Sequence, residues 1–120
     1  MEQNLTSWEK QKRKEPLEKE ITDQFMLCVR SHGPGWAMPT LEALADHTAY
    51  YPPRPVSVRI FDMKGDAEVH DPSPALRKAW EDYHAVCASC GEDWGRALIT
   101  LIPASDRKTG QLQWNYSYPH

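Results

Sequence analysis

A chain of 120 residues is the usual size of one domain and too short for two ordinary ones. Hydrophobic residues at 40%, charged residues at 26% and a mean hydropathy of −0.70 exclude a membrane protein and a low-complexity polymer. The net charge of −3 demands no particular partner, but it is unevenly spread. Between Asp62 and Asp93 eight acids face three bases, while the remainder is slightly basic. That central segment is a poor nucleic-acid binder, because phosphate recognition needs clustered Lys and Arg.

Residues 1–15 are polar and mixed in charge, and read as either a frayed tail or a first helical turn. Met1 to Lys14 contains no apolar core of a secretory signal. Three cysteines, Cys28, Cys87 and Cys90, are an odd number, unlike the even set of a disulfide scaffold. Both features point to a reducing cytoplasm, and a single domain is expected over 16–120. From Pro16, placed at a first helical turn, Leu17, Ile21, Phe25 and Cys28 recur at helical spacing. The run Ser31-His32-Gly33-Pro34-Gly35 stops that helix. Trp36 to Tyr51 fits two patterns: Leu41, Leu44, Ala45 and Thr48 suit a helix, which the Ala and Leu content favours, whereas Leu41, Ala43, Ala45, His47 and Ala49 alternate as a strand. Pro52, Pro53 and Pro55 end either one.

Val56, Val58 and Ile60 alternate in a strand, Lys64-Gly65-Asp66 turns, and Ala67 to His70 returns as the second arm of a hairpin. Ser73 then caps a helix with Pro74 at its first position. Leu76, Ala79, Trp80, Tyr83, Cys87 and Cys90 form its apolar stripe, with Arg77, Lys78, Glu81 and Asp82 facing away, and Gly91 closes it. Arg96 to Ile102 reads as a strand apolar on both faces, hence central. After a polar loop, Leu112, Trp114, Tyr116 and Tyr118 alternate with polar residues in a last strand. Trp80 and Trp114 should both be largely buried. The sum is an α+β fold, an antiparallel sheet with helices on one face.

Chemistry is sparse. His84-x2-Cys87-x2-Cys90 carries zinc-type ligands, but it lacks a second ligand pair, and the cysteines extend an apolar stripe where free Cys packs as a small hydrophobe. A redox Cys-x-x-Cys sits at a helix start, whereas this one ends a helix. No nucleophile elbow, phosphate loop or H-E-x-x-H occurs, so neither catalytic, cofactor nor metal-binding residues are expected. Trp114, Tyr116 and Tyr118 are spaced to stack bases, yet no cations interleave them, and such aromatics are expected in a core.

The order of features resembles a known group. It runs from a helix and Gly35-Trp36, through strands and a Trp-bearing helix, to Trp94-x-x-Ala97-Leu98-Ile99-Thr100-Leu101 and Thr109-Gly110-x-Leu112-x-Trp114-x-Tyr116-x-Tyr118. This is similar to the YezG-like family of bacterial immunity proteins, over about residues 17 to 118. Thr40 to Tyr51 departs from the pattern, the family having a more β-branched strand there. The resemblance implies a cytoplasmic antitoxin of a polymorphic or contact-dependent growth inhibition system. Such a protein binds a cognate toxin domain, such as a nuclease with a basic cleft, and blocks its active or target-binding surface. It needs neither membrane nor nucleic acid as a direct partner. Acids would favour a basic toxin. Asp62, Asp66, Glu68 and Asp71, on or just after the hairpin tip, are the expected contacts, with Glu81 and Asp82 on the outer helix face. Two other readings stand beside it: a zinc- or thiol-dependent protein built on His84, Cys87 and Cys90, and a generic protein-interaction domain.

Overall fold

The computed structural model describes residues 6–33, 35–46, 48, 55–69, 72–103 and 110–118. Its first helix, α1, spans Ser7–Ser31. The Thr6 hydroxyl caps it, accepting from the Glu9 N–H at 3.1 Å, as an N-cap side chain does for an orphan donor of the first turn. Segment 7–15 is therefore helix, and Pro16 stands inside the element rather than in its first turn. Proline removes one helical hydrogen bond and crowds the preceding turn, but Lys, Arg, Gln and Glu fill positions 9–15 and are strong helix formers. An ion pair from Lys14 to Glu92 at 2.7 Å also ties this half to the rest of the fold. Burial begins only after Pro16, at Ile21, Phe25 and Val29. At the other end the His32 N–H donates to the Cys28 carbonyl at 3.3 Å and the Gly33 N–H to the Arg30 carbonyl at 3.1 Å. Gly33 takes φ +84°, the left-handed closure that glycine accepts without strain.

The segment that fits two patterns resolves as a strand, β1, over Pro39–Ala45. Leu and Ala favour helix only weakly, and tertiary context overrides so small a preference. Here the context is a ladder on both sides. The other strands are β2 (Val56–Asp62), β3 (Glu68–Val69), β4 (Arg96–Pro103) and β5 (Gly110–Ser117), with helix α2 at Pro74–Ser89. The Ser73 hydroxyl caps α2 by accepting from the Leu76 N–H, and Pro74 opens it. Gly91, at φ +82°, follows its end. The expected hairpin 56–70 is present as β2 and β3; His70 and the loop at 104–109 lie outside the described residues.

All pairings are antiparallel, in the order β3-β2-β1-β4-β5. The strand of uncertain type is thus the centre of the sheet, and β4 lies between β1 and β5. Register sorts the side chains by face. Leu41, Ala43, Val58, Ile60, Ala97, Ile99, Trp114 and Tyr116 share one face. They join Ile21, Phe25, Leu76, Trp80, Tyr83, Cys87 and Trp94 in a single core. Both helices lie on that face, giving the two-layer α+β domain. The small Ala43 and Ala97 at its centre leave room for the large aromatics, the large-against-small packing of a dense core. Trp80 is fully buried, as expected. Trp114 is only half-buried, because it stands on an edge strand beside α1 rather than beneath it.

Candidate interaction surface

The other face of the sheet bears no described helix. Alternation places Thr40, Glu42 and Leu44 there from β1, Ser57, Arg59 and Phe61 from β2, and Arg96, Leu98 and Thr100 from β4. Glu42 is the organising residue. It stands directly opposite Arg59, and Arg96 reaches it diagonally from the position paired with Leu44. Arg59 Nε donates to Oε1 at 2.8 Å, and Arg96 donates to Oε2 through Nε at 2.7 Å and Nη2 at 2.6 Å. Burial of Glu42 pushes its carboxyl pKa up, but the two guanidinium groups outweigh that and hold it below the usual carboxylate range. Arg59 also lies 4.4 Å over the Phe61 ring and 3.8 Å from Glu68.

The outcome is two arginines anchored from beneath by a carboxylate that is 8% exposed, while they remain 51% and 46% exposed themselves. Their rotamers are fixed before any partner arrives, which lowers the ordering cost of binding. Outward-facing N–H groups can meet a carboxylate or a backbone carbonyl. Around them lie Leu44, 44% exposed, and the half-buried Phe61 and Leu98. Arginine and aromatic residues among apolar neighbours are the composition enriched at protein–protein contacts.

The six acids singled out from the sequence do not form one surface. Asp62 is only 6% exposed, which corrects its expected role as an exposed charge. Its Oδ2 accepts from the Ala37 N–H at 2.7 Å, and its Oδ1 from Met38 at 2.7 Å and Lys64 at 3.2 Å. It therefore clamps the approach to β1 onto the hairpin tip. Burial raises its pKa, and the three amides overcome this and lower it. A Cβ at Gly65 would stand 2.5 Å from Oδ2, so the turn glycine makes room for the clamp. Asp66 is exposed at the tip. Glu68 belongs to the helix-free face, opposite Phe61. Glu81 and Asp82 belong to the helical layer, where Asp82 pairs with Lys78 at 3.3 Å. Asp71 lies outside the described residues.

His84 and Cys87 sit on the buried side of α2, with Cys90 at its end. The His84 ring turns Nε2 toward the Trp94 carbonyl and the Asp93 carboxylate, each at 3.0 Å, and meets the Trp94 ring edge-on at 4.6 Å. Burial pushes the Cys87 thiol pKa up, more than Trp94 and Tyr83 beside it lower it. Among the described residues, no group of three or more His, Cys, Asp or Glu side chains is placed to hold a metal. None of the described helices is long and apolar enough to cross a membrane.

Glu42, Arg59 and Arg96 were not singled out from the sequence. Their signal was present in part: Ser57, Arg59 and Phe61 alternate with Val56, Val58 and Ile60. Joining them to Glu42 required knowing that β1 is a strand lying between β2 and β4. No family model matches the chain, and a comparison with curated proteins finds no match.

Proposed function

We propose that this chain is an inhibitory binding protein of the toxin-immunity class, which occupies the active or target-binding surface of a toxin domain with the helix-free face of its sheet. The observation that carries this reading is the Arg59–Glu42–Arg96 cluster, a polar centre set beside Leu44, Phe61 and Leu98 on a sheet face that bears no helix among the described residues. The sequence resemblance supplies the kind of partner; of the residues it rests on, Trp36 precedes β1, Trp94 precedes β4 and Gly110 starts β5. Asp66, Glu68, Glu81 and Asp82 then act as peripheral charges that steer a basic partner, which changes association rate more than affinity.

Co-expression with the toxin domain encoded beside this chain tests the reading. Cells should grow, and the purified pair should bind. Leu44→Asp, on the central strand and directly opposite Arg96, should weaken binding by about tenfold or more, while Glu81→Lys/Asp82→Lys should slow association and alter its salt dependence. Failure to protect overturns the function. Unchanged affinity in Leu44→Asp overturns the assignment of the face.

A further inference from the structure

The strand order leaves β3 and β5 as edges. With two residues, β3 is too short to template another strand. By contrast, β5 runs eight residues and pairs with β4 residue for residue, from Pro103↔Gly110 to Arg96↔Ser117, without a bulge. It contains no charged residue and no proline. Soluble proteins protect an edge of this length with lysine, proline, a bulge or a covering element. β5 has none of the first three, and among the described residues no strand pairs with its outer side.

We propose that β5 pairs antiparallel with β5 of a second copy of this chain, about a two-fold axis at Asn115. The case for a second copy, rather than a foreign strand, is self-complementarity. An axis at Asn115 sets Trp114 beside Tyr116 of the second copy on the helical side, an aromatic cross-strand pair. On the other side Asn115 meets its own copy, and Gln113 meets Ser117 of the second copy. No charge is opposed anywhere along the ladder. Beside β5 runs a groove of about 380 Å³, lined by Glu18, Lys19, Thr22 and Asp23 of α1 with Trp114 and Tyr116. This brings the middle of α1 to the level of the axis. The same two-fold then sets α1 antiparallel to its copy, with Lys19 facing Asp23 of the second copy and the reverse. Lys19 and Asp23 already pair within the chain at 2.8 Å, both exposed. Such a pair contributes little alone, but in the dimer it becomes half of a closed ring of four alternating charges. A foreign strand would find the edge equally open without matching that order of charges. The contact closes on itself, as an isologous interface must.

This inference is independent of the inhibitor reading, since self-association is measured without any toxin. Sedimentation equilibrium of the full chain should show a dimer. Asn115 is exposed, so Asn115→Lys and Asn115→Glu should keep the fold by circular dichroism. Each places like charges face to face across the axis and should weaken self-association roughly tenfold or more. An equimolar mixture of the two variants should restore the dimer. A wild-type chain that stays monomeric up to about 1 mM overturns the proposal. So does a dimer that persists in both variants, or a mixture that fails to restore it.

Discussion

Two buried carboxylates, Glu42 and Asp62, do different work with the same chemistry. Glu42 fixes two charged side chains on a surface, and Asp62 fixes backbone, holding residues 37 and 38 where β1 begins. In both the folded pKa lies below the unfolded one. Their stabilisation is therefore complete above the ordinary carboxylate range near 4 and is lost as pH falls through the folded values. Thermal unfolding between pH 7 and pH 3 should show this acid limb. Asp62→Asn should lower stability by about 1–2 kcal/mol at neutral pH, because a neutral amide is a weaker acceptor and turns an N–H toward an amide donor. The gap from wild type should narrow as pH falls; a gap that stays constant would mean that Asp62 contributes shape rather than charge.

At the scale of elements, α1 is two helices in physical character. Its half after Pro16 is held by Ile21, Phe25 and Val29 in the core, and its half before Pro16 by propensity, the Thr6 cap, the Lys14–Glu92 ion pair and the Gln11–Glu18 hydrogen bond. Pro16→Ala should raise stability by about 1–2 kcal/mol, the interior cost of proline less what it removes from the unfolded chain. A higher urea midpoint at unchanged slope would show it, and no gain would mean that the helix is not continuous through 16. This half was hard to read in the sequence because it buries almost nothing, so no apolar period marks it. The α2 helix was legible because Ser73, Pro74, the Leu76–Cys87 stripe and Gly91 all agree. β5 was legible for the same reason: a half-buried strand alternates. β1 was not, because a central strand is buried on both faces at Thr40, Leu41, Glu42 and Ala43, and the buried Glu42 breaks the alternation expected of an exposed face. With β1 went the site, since the cluster exists only through the register of three strands that are far apart in the chain.

The whole molecule measures 50 × 30 × 26 Å, and a 25-residue helix of about 37 Å runs along a body with two short axes. Its core is bound together by non-local pairing, β1 with β2 on one side and β4 on the other, a topology that folds more slowly than a helical bundle of similar size. The centre of that core is aromatic. Trp80 and Trp94 stand 5.6 Å apart at 85°, and Trp80 lies 5.9 Å from Trp114 and 5.7 Å from Tyr83. Trp8, 68% exposed on the first turns of α1, lies outside this cluster. The protein therefore carries its own optical report on assembly. Indole transitions held this close and this fixed couple to one another, so the folded chain should show an exciton couplet in circular dichroism that vanishes with tertiary packing even where helix persists. Iodide should quench a red-shifted emission from Trp8 most strongly, the half-buried Trp36 and Trp114 less, and leave the blue-shifted emission of Trp80 and Trp94. A Trp8→Phe variant that keeps the couplet and loses the most readily quenched fraction would separate the two signals, one tracking the sheet and its helices, the other the far end of α1.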